Sequence, residues 1–368
     1  MKLVLLKTNL KEGLDIAQRA TSENTNLPIL KNVLIQSFNN QIKISATNLE
    51  LAITKFVSGK IIEEGGLTIP GSILLSLINN LSDERINLEH EKGALVVRSD
   101  NYEARVQGMN QDEFPIIPQI QSRDYYLKIN SGLLRDSLNQ VMNATQYSDW
   151  RPELNGILFD FKLSNLTLVG TDSFRLAKKV ILNSQLESNW GEEKIIIPLK
   201  TVQELSKILS DDGLVNIYLD HGQIIFISDE MELISRVIEG QFPDYEAIIP
   251  KQFDNELFLD KSGLINGLKL AGIFSGKVND VRLKINEDKK LMEIYSSNSQ
   301  LGENKYLLPV RATKSLLETI FNWRYFLDGL KTIQDKDIFV GVNAEDKPVV
   351  IKASRDQSLI YLLMPIRL

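Results

Sequence analysis

The sequence predicts an α+β protein made of three tandem copies of one domain, each with two helices packed on antiparallel sheet. Two observations predict it: four short blocks recur in one order at one step along the chain, and a strand followed by an amphipathic helix opens each third. The best-marked block is Gly170-Thr171-Asp172-Ser173-Phe174-Arg175-Leu176-Ala177, which follows the alternating run Leu163–Val169. It is echoed upstream by Ile44-Ser-Ala-Thr47-Asn48 and downstream by Ile294-Tyr-Ser-Ser297-Asn298, with Ile44, Leu168 and Ile294 separated by 124 and 126 residues. Asn32, Gly156 and Asp280 repeat at 124 and 124. A later strand recurs as Val96-Val97-Arg-Ser99, Ile225-Phe226-Ile-Ser228 and Val350-Ile351-Lys-Ala-Ser354, and Glu113-Phe114-Pro115 rhymes with Gln241-Phe242-Pro243. A repeat at a fixed period determines the architecture before any single element does.

Taken in order, the first third opens with a strand over Lys2–Leu6 and a helix over Thr8–Ser22, where Leu10, Leu14 and Ala17 fall on one face. The second opens at Tyr125–Ile129 and passes through the capping residues Asn130 and Ser131 to Leu134, Leu138, Val141 and Met142. The third opens at Leu257–Leu259 and passes through Asp260 to Leu264, Leu268 and Ala271. A second helix is expected in each third, over Pro70–Leu81, Pro198–Leu209 and Asn322–Ile333. In the first two, proline stands near the opening turn, where its missing donor costs nothing. Short alternating strands surround these helices, with turns at His90–Gly93, Asp220–Gly222 and Asn286–Lys290. Polar joins near Gln119–Arg123 and Pro250–Asp254 give domains 1–121, 122–252 and 253–368. A last strand over Ile360–Met364 is stopped by Pro365, which leaves Ile366 and Leu368 to line a surface.

Composition narrows the function. A hydrophobic content of 43% and mixed charges describe a folded globular chain, and no run approaches a membrane span. The start, Met1–Lys7, is too short in apolar residues for a signal-peptide core, so a cytoplasmic location is expected. Without cysteine there is no disulfide, thiol catalysis or thiolate metal site. The net charge of −6 excludes a broadly basic nucleic-acid surface, so any DNA contact has to sit on a local basic face.

The residues that could carry chemistry do not assemble an enzyme. Gly272-Ile-Phe-Ser-Gly276-Lys277 has the look of a phosphate loop, yet it is one residue short between the glycines, lacks the hydroxyl residue after Lys277, and follows a helix. It reads better as a helix C-terminus capped at Gly276. His90 and His221 fall in expected hairpin turns, and Asp211-Asp212 and Asp229-Glu230 are adjacent loop acids with no converging partners. No cofactor and no metal site are expected.

Together, the early Asn-Leu-Pro-Ile-Leu segment, Ala46-Thr47-Asn48-Leu49-Glu50, Leu154-Asn155-Gly156, Thr171–Ala177, Phe242-Pro243-Asp244-Tyr245 and the C-terminal Met-Pro-Ile-Arg-Leu resemble the bacterial β sliding clamps, the processivity subunits of DNA polymerase III. The resemblance covers the whole chain. It implies a non-enzymatic half-ring protomer that closes as a head-to-tail homodimer into a pseudo-six-fold ring around double-stranded DNA. It also implies a pocket for short peptide motifs of the replicative polymerase, the clamp loader and repair proteins. The matching pocket residues are Leu154, Thr171, Ser173, Phe174, Arg175, Leu176, Pro243, Ile248, Asn322, Tyr325, Leu362, Met364, Pro365, Ile366 and Arg367. The DNA-facing positions are Lys11, Arg19, Arg135, Arg151, Lys200, Lys207, Lys261 and Lys269, with Asn24 where many members carry arginine. Ring closure falls to Tyr102 against Ile273 and Phe274. A monomeric peptide-binding scaffold of the same fold would differ only at the closure residues and the helix-face lysines; a phosphoryl-transfer enzyme would need the Gly272–Lys277 loop to bind nucleotide.

Overall fold

The computed structural model describes every residue except 23–25, 119, 121–124, 287, 289, 344–345 and 367–368. Among the described residues six α-helices lie where the periodicity places them: α1 (Lys7–Ala17), α2 (Gly71–Asn80), α3 (Ser131–Met142), α4 (Leu199–Ile208), α5 (Lys261–Gly272) and α6 (Trp323–Thr332). The strand Lys2–Leu6 precedes α1, Tyr126–Asn130 precedes α3 and Asn255–Asp260 precedes α5. Asp260 caps α5 by accepting from the Gly263 N–H at 2.7 Å, and Asn322 caps α6 by accepting from Arg324 and Tyr325.

Three local expectations are corrected. The first helix stops at Ala17, not Ser22: Gln18–Ala20 tighten into a 3₁₀ turn, and Thr21, whose hydroxyl donates to the Gln18 carbonyl, leaves in extended conformation. α5 stops at Gly272, a turn before Gly276: the Ile273, Phe274 and Ser275 N–H groups bond carbonyls three residues back, and the Ser275 hydroxyl also donates to the Gly272 carbonyl, while the Trp323 ring packs so close to Gly272 that a Cβ there would lie 2.6 Å from it. Trp323 Nε1 donates to Ser275 Oγ at 3.0 Å, so the glycine-rich stretch is a packing contact with α6. His90 lies inside the strand Arg85–Glu91 with its N–H on the Met1 carbonyl, while His221 sits in its turn as expected. Part of the Asn286–Lys290 turn, most of the first polar join and Leu368 lie outside the described residues.

The chain packs as two compact units. The first comprises Met1–Gly132, Glu187–Asn189 and Lys207–Val237; the second comprises Leu133–Leu186, Trp190–Ser206 and Ile238–Leu368. The first unit holds a five-stranded and a nine-stranded sheet, the second a nine-stranded and a four-stranded sheet. Six strands, numbered in chain order, make the joins and two of the free ends: β1 (Leu51–Val57), β2 (Glu103–Gln107), β3 (Arg175–Leu182), β4 (Met231–Arg236), β5 (Gly302–Pro309) and β6 (Leu359–Leu363). In the first unit β1 pairs antiparallel with β4, placing Ala52 opposite Ile234. In the second, β3 pairs in the same way with β6, placing Leu176 opposite Leu362. The first and second repeats therefore each extend a sheet into the next repeat, which is why nine strands run without interruption. β2 ends the five-stranded sheet and β5 ends the four-stranded one.

Alternation along the strands sorts side chains between the core and the outer face. In the first unit Leu10, Leu14 and Ala17 of α1 are fully buried with Ile44 and Ile53, and a Cβ on Gly13 would lie 2.6 Å from Val57. That close approach lets α1 lie on the sheet.

Candidate functional site

The site grows from one turn. In Thr171–Arg175 the Thr171 hydroxyl donates to the Arg175 carbonyl at 2.7 Å and accepts from the Ser173 N–H at 3.2 Å. Asp172 Oδ1 accepts from the Phe174 and Arg175 N–H groups, both at 3.0 Å. Side-chain oxygens thus satisfy a sharp reversal in which Ser173 takes φ +76°, and Phe174 is pushed outward. The first repeat makes the same turn with Thr47, Asn48 and Leu49, at φ +77°.

The copies differ in one respect. Asn48 serves only the backbone, whereas the second oxygen of Asp172 accepts from Arg175 Nε at 2.9 Å. Arg175 Nη1 then donates to Asp328 of α6 at 2.7 Å, and the guanidinium lies 4.1 Å from the Tyr325 ring centroid. The Tyr361 hydroxyl donates to the Tyr325 carbonyl at 2.8 Å, and burial raises this phenol above its ordinary range, so it remains a donor. Both side chains of the Asp172–Arg175 pair are almost fully buried, at 5% and 8% exposure.

Around this network the expected residues separate by depth. Leu154, Leu176 and Leu362 are core, packed with Leu158, Val169, Ile196, Phe242, Tyr245 and Val350. They form a floor, not open walls. Phe174 at 62% and Ile248 at 45% exposure stand at the surface, with Pro243, Met364, Pro365 and Ile366 half-buried. The tail is fixed by its backbone: the Met364 N–H donates to the Phe174 carbonyl and the Ile366 N–H to the Ile320 carbonyl, both at 2.8 Å. Arg367 lies outside the described residues. Arg151, expected on a DNA-facing surface, donates to Ser173 Oγ at 3.0 Å and to Glu153, and so belongs to the rim of this turn.

Tyr245 closes the floor by donating to Asp160 at 2.5 Å; Asp160 is 2% exposed, with Lys162 at 3.5 Å. Tyr245→Phe is expected to lower stability by about 1–3 kcal/mol, because the buried carboxylate loses its neutral donor. Urea denaturation checks this; an unchanged midpoint would mean that Lys162 suffices.

The residues expected at ring closure have the following surroundings. Tyr102 joins Ile73, Leu77 and Leu81 around a groove of about 610 Å³ along α2. Ile273 is 64% exposed at the end of α5, beside half-buried Phe274.

Profiles of the DNA polymerase III beta subunit match the chain in three successive parts: the N-terminal domain over residues 1–118, the central domain over 128–244 and the C-terminal domain over 246–367. The chain belongs to the DNA polymerase III beta subunit family. The beta sliding clamp of Chlamydia muridarum is 28% identical, with the match covering 100% of this chain and 99% of that one. That of Synechococcus elongatus is 26% identical over all of both chains. Among solved structures, the beta subunit of Thermotoga maritima aligns with a TM-score of 0.91 at 26% identity, covering 100% and 99%. The sliding clamp of Pseudomonas aeruginosa gives 0.92 at 25%, covering all of both chains.

DNA polymerase III beta subunits are DNA sliding clamps, non-catalytic processivity factors of replication, and the fold is three tandem clamp domains. Among the described residues no group of three His, Asp or Glu is placed to hold a metal, and no helix is long and apolar enough to cross a membrane.

The basic positions of this sliding clamp are unequal. Lys11, Lys200, Lys207 and Lys269 are exposed, whereas Arg19 and Arg135 are half-buried, with Arg135 bonded to Asp136. Lys261 donates to the Ile333 carbonyl at 2.6 Å and caps the end of α6, which ties up its ammonium. Asn24 lies outside the described residues. Sequence reasoning missed Asp328, which is distant in sequence from Arg175 and carries no local signal. It also missed Ile73 and Leu77, whose trace was an α2 too apolar all round to be a simple amphipathic helix.

Proposed function

We propose that two copies of this chain close head-to-tail into a cytoplasmic ring that encircles duplex DNA, and that the Arg175 turn with the C-terminal tail docks short peptides of the polymerase, the clamp loader and repair proteins. Domain limits of 1–121, 122–252 and 253–368 accompany this reading. The observation that carries the docking site is the buried Asp172–Arg175–Asp328 network, which holds Phe174 outward over an apolar floor. An apolar site with a few fixed polar groups suits a short peptide anchored by large side chains. The α2 groove beside Tyr102 is of a size to receive Ile273 of a second copy.

The deciding experiment loads the protein on nicked circular DNA with its clamp loader and then linearises the circle. Retention on circles and loss on cutting is the expected result; binding indifferent to cutting would favour a scaffold that never encloses DNA.

With a net charge of −6, direct phosphate contact is expected to be weak and salt-sensitive. Replacing Lys11, Lys200 and Lys269 by alanine should flatten the plot of log affinity against log salt by about one unit per lysine, equally for all DNA sequences. An unchanged slope would remove these residues from the DNA-facing surface.

A further inference from the structure

On one face the nine-stranded sheet of the second unit carries two neighbouring rows of side chains. In the first row Leu176 faces Leu362 and Leu362 faces Val350, and all three belong to the floor of the docking site. Two residues along each strand, on the same face, lies the second row. There Lys178 faces Ile360, Ile360 faces Lys352, Lys352 faces Phe339, Phe339 faces Phe258 and Phe258 faces Arg311. The second row is continuous with the floor, because Phe253 and Ile360 pack against the floor residues and the Phe253 ring meets Phe339 edge-on, with 5.3 Å between centroids. Phe258 meets Phe339 in the same way at 5.4 Å.

The two ends of this face are charged differently. Towards Tyr245, Lys178 and Lys162 share Glu246, at 2.8 and 3.5 Å. At the other end Lys352 lies 4.7 Å from the Phe339 ring centroid and the Arg311 guanidinium 6.0 Å from that of Phe258. Among the described residues neither of these two cations has an ion pair. The acids on the neighbouring pleats, Glu256 beyond Phe258 and Asp337 beyond Phe339, pair with neither. Arg311 and Phe258 are exposed and Lys352 is half-buried, so the stems cover the rings while the charged heads face water. In a chain of net charge −6 this is a local surface of opposite sign, set beside an apolar floor.

Resting on the docking reading above, we infer that the docking site runs on across the second row, and that Lys352 and Arg311 receive Asp or Glu side chains flanking the docked segment of a partner peptide. The register sets the spacing. Lys352 is one strand and one pleat from Leu362, roughly 8 Å, and Arg311 is four strands and one pleat away, roughly 20 Å. An extended peptide advances about 3.3 Å per residue, so acids about three and about six residues beyond the apolar anchor match the two cations. Phe258, 37% exposed, stands between them in the row and suits an apolar residue between the two acids. A basic flank would be repelled by both heads, so the strip sorts partners by charge more than it tightens all of them. Nucleic-acid phosphate is the other anion such cations attract. It would leave the adjoining apolar floor unused, whereas a peptide anchored on that floor brings its flank to the cations at high effective concentration.

The test uses the whole chain and a labelled polymerase-derived peptide with six residues added at one end or the other. The added residues are all alanine, or alanine with aspartate at the third and sixth positions from the motif, or alanine with lysine there. Fluorescence anisotropy at low salt should show, at one of the two ends, the aspartate flank binding about fivefold more tightly than the alanine flank, and the lysine flank more weakly. The difference should vanish near about 0.5 M salt. In K352M/R311M, which keeps unbranched apolar stems over the rings, aspartate and alanine flanks should bind alike, and the alanine-flanked peptide should bind as it does to the unaltered chain. Equal affinity of all three flanks at both ends overturns the strip and leaves docking intact. An aspartate advantage that survives in K352M/R311M overturns the assignment to these cations. Failure of even the alanine-flanked peptide to bind overturns the docking reading itself. A labelled oligothymidylate that needs Lys352 and Arg311 in order to bind, with no aspartate advantage in the peptides, gives the row to nucleic acid and overturns the proposal.

Discussion

Arg175→Ala is expected to lower the stability of the protein by about 3 kcal/mol and to abolish peptide docking together with it. The substitution strands Asp172, whose side chain is 5% exposed, and strips the stacked cation from Tyr325. Asp328 is one-third exposed and can rehydrate, which keeps the loss at the lower end of what breaking a buried pair costs. The fold itself supplies a rescue. In the first repeat the same turn is built with Asn48 and Leu51, neither charged, and keeps its hydrogen bonds. The double variant D172N/R175L should therefore regain most of the stability lost on removing the arginine. It should not regain docking, because Asp328 and Tyr325 no longer have a cation to organise them. Urea denaturation and fluorescence anisotropy with a labelled polymerase-derived peptide separate the two effects. If the double variant binds peptide normally, the network holds the fold and not the site.

The second large effect is expected at ring closure. Ile273→Asp should leave the melting temperature of the chain unchanged, since the side chain is 64% exposed and the helix it follows ends at Gly272. In the dimer it would bury an unpaired carboxylate in an apolar contact, and the dimer Kd should rise about a hundredfold or more. Sedimentation over a concentration series would then report a monomer, and the protein would no longer remain on circular DNA. Tyr102→Ala, at a half-exposed position with neighbours that can relax, should weaken the dimer less. A dimer of unchanged strength in Ile273→Asp would place closure elsewhere.

The legible part of this protein lay in periodicities and in short-range side-chain chemistry. Apolar spacing of 3.6 residues marked the helices, and the repeat step marked the copies. The turn at Thr171–Arg175 was legible because its hydrogen bonds run between residues two to four apart. Helix ends were read less well. The pattern predicts a cap at Gly276, but α5 stops at Gly272, where the following N–H groups bond carbonyls three residues back and Trp323, far along the chain, packs against the glycine. By its place on a helix face Lys261 has the pattern of a solvated cation, but its ammonium donates to the Ile333 carbonyl.

By itself the sequence determined three copies of one α+β domain, a non-enzymatic chain without cysteine chemistry, and the turn around which its best-marked site is arranged. Each of these is written in local pattern: spacing, composition and hydrogen bonds that close within a few residues. Only the tertiary structure decided that Leu154, Leu176 and Leu362 are floor and Phe174 is rim, that Asp328 holds Arg175, and that β2 ends the five-stranded sheet and β5 the four-stranded one. Those facts depend on which elements lie side by side. Contacts between residues more than a hundred positions apart leave no mark on the stretch of sequence around either one.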